Sequence, residues 1–240
     1  MDPNRSLPSR SVQPDTVTAL FPELGGTSFC GVNLDEEAVR WRTQYPERFA
    51  GGVNPLLDPA AAQALVDDFH ARHRVEWSYG GYLEDRRHIW QGSYLERTGN
   101  WVHLGVDFHV PWGTHVAAPQ AAAVFLVDHD LDRDGGWGQR VFLKLGGEPP
   151  DDPVLIFAHL QGAGVTPGTR LARGAVFAEV GGPPGNGNWA PHLHVQTIPS
   201  DRLVEVLIER FAELDGYGPP SRVEDLRVSF PDPLPIIGWW

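Results

Sequence analysis

Lysine is nearly absent from this chain: Lys144 is the one lysine among 19 basic residues, and Lys and Arg form no cluster. Against 31 acidic residues the net charge is −12. Duplex nucleic acid and anionic surfaces, membrane or cell wall alike, repel such a chain on average. Cysteine is scarce too. Cys30 stands alone, which rules out an internal disulfide, and it sits in an irregular stretch with no nucleophile signature around it. No apolar run is long enough to span a bilayer, and residues 1–20 (MDPNRSLPSRSVQPDTVTAL) lack the apolar stretch of a signal peptide. With Met1 as the native start, the expectation is a cytoplasmic protein with neither a nucleic-acid nor a membrane partner.

Long helices are also disfavoured, because 27 Gly and 22 Pro exceed a fifth of the 240 residues. Apolar residues still make up 41% of the chain, enough for a sizeable core. The expected class is mainly β: a sandwich or antiparallel-sheet core with flanking N-terminal helices and one C-terminal helix. Three segments are expected. Residues 1–75 hold an irregular tail (1–34) and two helices, at 35–45 and 59–73; Asp58 can cap the second, and its Leu65, Val66 and Phe69 share a face. Residues 76–200 form the β domain. Residues 201–240 hold an amphipathic helix over 201–214, then an extended Pro-rich end whose Trp239 and Trp240 pack back on the body.

Within the β segment, residues 102–110 alternate strictly, with Val102, Leu104, Val106, Phe108 and Val110 on one face. That predicts a half-buried strand. Further short apolar runs at 116–127, 140–145, 154–160, 175–180 and 193–198 are separated by Gly, Pro and Asp, as in a many-stranded sheet.

Seven of the ten histidines fall between residues 103 and 194. In His192-Leu193-His194 the spacing of two puts both imidazoles on one sheet face. His103 and Asp107 also share a face, but on a straight strand their Cα atoms lie roughly 13 Å apart. To serve one metal the strand must bend between them, and Gly105 is where bending costs least. One Asp with two His is a ligand set that zinc accepts, with a fourth position left for water. Each signal alone is weak, since a lone histidine on a sheet is ordinarily a hydrogen-bonded structural residue; their combination in one strand-rich region lifts them.

At this point the chain resembles a known family, the lysostaphin-type zinc endopeptidases, which cut peptide bridges in bacterial cell walls. The likeness spans about residues 101–198 and rests on HLGVDFHVPWGTHVAAP (103–119), WGQRVFLKL (137–145), LIFAHL (155–160), GVTPGTRLARGAVFAEVG (164–181) and APHLHVQ (190–196), in that order. The resemblance implies one zinc ion per chain, held by His103, Asp107 and His194. It matches His159 and His192 to the family's catalytic pair without dividing their roles. It further implies hydrolysis of a peptide or amide bond, in a peptidoglycan-derived or other small peptide, by a metal-activated water. GNWAPHLHVQ and GGYLEDRR look like a cytoplasmic subgroup found with kinase-like and aminotransferase-like modules. The chain departs from the family at His115, where proline is common, and at Ala122-Ala123 in place of an Asp-Gly turn. Its acidity and missing signal set it apart from wall-acting members.

The alternative is a non-hydrolytic zinc-binding or regulatory domain on the same scaffold, although degenerate regulatory relatives usually lack the metal ligands that all stand here. A sugar- or cofactor-binding sandwich with adventitious histidines would bind no metal. His109, Trp189 and Tyr94 are candidate substrate-binding residues; Tyr82 and Arg87 also precede the first motif and can reach the cleft. Trp101, Trp112 and Trp137 flank the motifs as groove walls or rim packing. His70, His73, His88 and His129 take structural roles. Asp130, Asp132 and Asp134 fit the start of a calcium loop, but Val141 replaces its terminal Glu, and an acidic hairpin tip is the simpler reading.

Overall fold

A computed structural model describes residues 17, 19–133, 135–146, 153–198 and 215–239. The helix expected over 201–214, Asp134 and Trp240 lie outside the described residues. The strands are β1 (Phe29–Gly31), β2 (Trp77–Gly80), β3 (Val102–His103), β4 (Val106–His109), β5 (His115–Ala117), β6 (Ala122–Asp130), β7 (Gly138–Leu145), β8 (Val154–Gln161), β9 (Arg170–Leu171), β10 (Val176–Val180), β11 (Leu193–Ile198) and β12 (Tyr217–Gly218). One large sheet runs β1-β2-β4-β11-β8-β7-β6-β9, and β10 branches from β8 to pair with β5. Its pairings are antiparallel except β1 with β2. β12 and β3 form a separate ribbon. The mainly β class is as expected, and no helix among the described residues is long and apolar enough to cross a membrane.

Period-two alternation sorts the central strands into two faces. Val106 and Phe108 of β4, Leu193 and Val195 of β11, and Leu155 and Phe157 of β8 point into the main core, with Phe21, Trp77 and Trp239. Asp107, His109, His192, His194 and Gln196 occupy the opposite face or its edge. That face is buried as well. The 102–110 segment is therefore not half-buried as its alternation predicts: its polar residues are covered by segments on either side of it in sequence, and the strand breaks at Leu104-Gly105.

Flanking helices supply part of that cover. Asn33 caps Leu34–Gln44, and Asp58 Oδ1 accepts the amides of Ala60 and Ala61 at the start of Pro59–His73. Leu65, Val66 and Phe69 are buried as their shared face predicts, in a second core with Trp41, Ile89 and Trp189. The Trp189 indole donates to Leu56 O at 3.0 Å and ties this layer to the loop before β11.

Two expectations need correction. Residues 17–34 are not a loose tail: β1 joins the sheet, and Leu20 and Phe21 are fully buried against Trp77 and Phe108. Nor is the C-terminal end extended throughout. Helices form at Val223–Ser229 and Pro233–Ile236; the second starts on a proline, with Asp232 capping Leu234 N. Trp239 does pack back, fully buried among Phe29, Trp77 and Phe108.

The residue departing from the family at position 115 has a partner of its own. Glu23 Oε1 accepts the His115 amide at 2.7 Å and Oε2 meets His115 Nδ1 at 2.8 Å, tying the N-terminal segment to β5. The carboxylate's hydrogen bond and charge raise the His115 pKa, and the His115 amide, imidazole hydrogen bond and charge, acting against slight desolvation, lower that of Glu23. The tie therefore has full strength between the carboxylate and imidazole ranges. It weakens as rising pH strips His115 through its elevated folded pKa, and again as acid protonates Glu23. An NMR titration should place the His115 imidazole above 6.5 and Glu23→Gln should lower it; a native value at or below 6.5 shows that the pair does not form.

Candidate metal centre and active site

The site forms where strand register places polar residues opposite one another. His194 of β11 pairs directly with Asp107 of β4 on one side and with Ala158 of β8 on the other. His103 is brought in by the break after β3. Gly105 in that break has no room for a side chain: a Cβ would lie 2.5 Å from Val195 O and 2.6 Å from His194 Cε1. The bend expected at Gly105 is present, and it brings His103 Nε2 within 3.4 Å of Asp107 Oδ1.

Three ligand atoms converge. His103 Nε2 lies 3.0 Å from His194 Nδ1, which lies 2.9 Å from Asp107 Oδ1, and all three residues are buried. Their outward atoms are taken. His103 Nδ1–H donates to Gly81 O at 3.0 Å, and His194 Nε2–H donates to Gln196 Oε1 at 3.1 Å. Asp107 Oδ2 accepts from Arg86 Nη1 at 2.6 Å. With those tautomers, assigned from the hydrogen-bond network, two imidazole lone pairs and a carboxylate oxygen face one another with no proton between them. Three acceptors turned toward one point repel unless a cation sits there. A tetrahedral ion about 2.0–2.1 Å from N and O donors holds them about 3.3–3.4 Å apart, close to the distances seen. The donor set thus fits zinc, and each donor has the supporting hydrogen bond that metal ligands usually have.

The electrostatics agree with a neutral His103 beside a charged carboxylate. Burial, then the Arg86 charge, pushes the His103 pKa down to about 3. Burial opposes ionisation of Asp107, yet His103 and Arg86 beside it hold its carboxyl well below the usual range.

Two more imidazoles adjoin the three. His192 Nδ1–H donates to Ala190 O at 2.7 Å, and its Nε2 lies 4.0 Å from Asp107 Oδ1. The His159 ring lies 4.3 Å from the His192 ring. Simple alternation would not put His159 on this face. β8 carries one extra residue against β7 between the pairs Val141–Phe157 and Gln139–Leu160, and His159 takes the left-handed φ of +61°. That bulge turns its side chain into the site. Burial lowers the pKa of both, and for His159 the neighbouring His192 and His194 lower it further.

A cavity of about 180 Å³ opens over these residues. Trp189 and Tyr94 line it, and so does Trp137. His109 does not: it is neither a cleft residue nor a surface one but 2% exposed, beside His192 and Trp189, with no hydrogen-bond partner for either ring nitrogen among the described residues. Arg87 is turned outward on Asp85, and Tyr82 donates to Phe230 O. Trp112 is exposed over Gly182, away from the cavity. At the hairpin tip, Asp130 spends its two oxygens on the amides of Asp132 and Trp137, as a turn residue does. His70 bonds Ser78, His88 bonds Asp35 and His73 stacks on Phe69.

Residues 101–205 match the model of peptidase family M23. No curated protein matches the chain. Among solved structures it is similar to a Pseudomonas aeruginosa protein assigned to M23 (25% identity, 57% of this chain and 44% of that one, TM-score 0.39). It is also similar to a zinc-containing peptidase from Vibrio cholerae (22%, 42% and 28%, 0.35) and to the lysostaphin catalytic domain from Staphylococcus simulans (20%, 57% and 80%, 0.37). The chain spans less than half the length of the first two.

Several cavity residues lie outside residues 101–205 and escaped the sequence reading: Arg86, Trp90, Asp215 and Tyr217. GGYLEDRR had drawn attention to its second arginine, whereas the first reaches Asp107. Arg86 is 1% exposed, with Glu84 at 3.7 Å and Tyr217 Oη at 3.4 Å. Removing it strands the Asp107 charge in a dry site. Arg86→Ala should cost about 3–5 kcal/mol in urea unfolding of the metal-free protein; a loss below about 1 kcal/mol, the scale of an exposed pair, means Asp107 does not depend on it.

Proposed function

We infer that the protein is a zinc-dependent hydrolase of a peptide or amide bond, with His103, Asp107 and His194 as metal ligands and His159 and His192 as the catalytic pair. The convergence of three electron-pair donors at one buried point, flanked by two further neutral imidazoles, carries this reading. A bound zinc ion polarises the scissile carbonyl and makes water a nucleophile at neutral pH. The chain's own part is proton transfer and charge stabilisation. His192 has its Nδ1 proton committed to Ala190 O, so its Nε2 is free to take a proton from the attacking water. His159, within ring contact of His192, has an Nδ1 without a protein partner. One imidazole of the pair serves as base while the other steadies the developing oxyanion or protonates the leaving amine. Burial favours the unprotonated form of both, so one can accept the water's proton near pH 7, and that same proton is the one delivered to the leaving amine.

The substrate we assign is a small peptide, peptidoglycan-derived or otherwise. A net charge of −12 disfavours adsorption to an anionic wall polymer, and a cavity of about 180 Å³ suits a small reactant. Trp189 and Tyr94 are assigned to substrate contact. His109, buried behind His192, supports that residue rather than the substrate.

Asp107→Ala should strip most of the zinc, read by metal analysis after dialysis, and abolish hydrolysis while the β circular dichroism persists; stoichiometric zinc in that variant removes Asp107 from the ligand set. His159→Ala should keep its zinc and slow turnover by about 10²–10⁴-fold. Unchanged kcat would take His159 out of the chemistry.

A further inference from the structure

The walls of the cavity touch one another all the way round. The Tyr94 ring packs on Gly135, where a Cβ would come within 2.3 Å of Tyr94 Cε1. Gly135 N donates to Gly187 O at 3.2 Å, and a Cβ on Gly187 would lie 2.0 Å from Gly136 O. Beyond Gly187 the same loop reaches Trp189, whose ring lies 5.2 Å from that of Trp90. Trp90 leads back along the chain to Tyr94 and closes the circuit. A cross-brace completes the enclosure: the Trp90 indole donates to Tyr217 Oη at 2.6 Å, and the adjoining Gly216 approaches Trp137, 3.7 Å from a Cβ placed on it. All of these residues line the cavity, with the five site residues among its lining too.

An enzyme that cuts within a long chain needs a groove open at both ends, so that substrate runs out on either side of the scissile bond. Here the walls meet at Tyr94–Gly135 and Gly136–Gly187 and again at Trp90–Trp189 and Trp90–Tyr217, with no space for even a methyl group at Gly135 or Gly187. Two of the lining segments, Trp90–Tyr94 and Asp215–Tyr217, lie outside residues 101–205, which match the M23 model. The cavity volume, about 180 Å³, compares with the roughly 150 Å³ that holds a benzene molecule in an engineered protein cavity. That is room for an amide with about one residue's worth of side chain.

We propose that this site is a blind well that admits substrate end-on, so that the protein acts on small amides or on the terminal bond of a short peptide and not on internal bonds of a polymer. The proposal rests on the hydrolytic reading for its chemistry but not for its geometry. Both are tested separately with the zinc-loaded full chain. In the first arm, free-ended short peptides, peptides extended on both sides of each bond, and intact murein are incubated with the protein, and the cut positions are read by mass spectrometry. Cuts should fall only next to a chain end; cleavage at an internal bond, or release of fragments from murein, overturns the proposal. The second arm needs no turnover. Calorimetry compares a glycyl-glycine phosphinic dipeptide with the same phosphinic unit carrying alanines on both sides. The short probe should bind at least about tenfold more tightly, because the long one must force the ring apart. Equal binding, tighter binding of the long probe, or binding of neither overturns the well. A protein that holds the short probe and cuts nothing loses the hydrolase reading and keeps the well.

Discussion

Everything at this site depends on a carboxylate kept charged where water is scarce. Asp107 is 1% exposed, and one of its oxygens faces two imidazole lone pairs. Alone, that arrangement repels itself. It is tolerated because Arg86 lies against the other oxygen, and because the sheet leaves the donors nowhere to relax to. His194 and Asp107 are register partners on adjacent strands, and their neighbours on the opposite face are locked in the main core. Rigid backbone thus holds three electron-pair donors in an arrangement that suits a cation.

The parts of this that follow from period two were legible in the sequence. His192 and His194 could share a face only as strand residues, and His103 with Asp107 required a bend that Gly105 was placed to allow. The helix cap at Asp58, the burial of Leu65, Val66 and Phe69, and the return of Trp239 are equally local signals. What was not legible were departures from period and contacts across long sequence distances. A one-residue bulge brings His159 onto the site face, and nothing in LIFAHL marks it. Arg86 and Arg87 are indistinguishable as text; the isolated bridge between Asp85 and Val102 and the turn at Gly81 decide which of them faces inward. His109 obeys the alternation, yet it is covered by a loop and a helical layer that the alternation cannot see.

The left-handed φ at His159 fits the same logic. A non-glycine residue in that region is unfavourable and persists only where surrounding contacts over-determine it. Here the His159 amide donates to Trp137 O and its carbonyl accepts from Gly181, so the backbone is held on both sides while the ring turns toward His192. Trp137 in turn lies against His194, with ring centroids 5.1 Å apart. One indole residue therefore fixes the backbone of one imidazole and packs on another, which couples the geometry of the proposed catalytic pair to that of the metal ligands.

The segments outside residues 101–205 bind these features into one unit. The stretch from Gly81 to Tyr94 provides the carbonyl that orients His103, the guanidinium that balances Asp107, and two aromatic rings of the cavity wall. The segment around Tyr217 pairs with β3 through His103, accepts a hydrogen bond from Trp90 and lies against Arg86. Support of the ligands and closure of the mouth are thus carried by the same residues at neighbouring positions. These segments cannot be lost without also removing hydrogen bonds from His103 and Asp107 beneath them. Wall and support are consequences of one packing arrangement, and residues 101–205 alone contain neither Trp90 and Tyr94 nor Arg86.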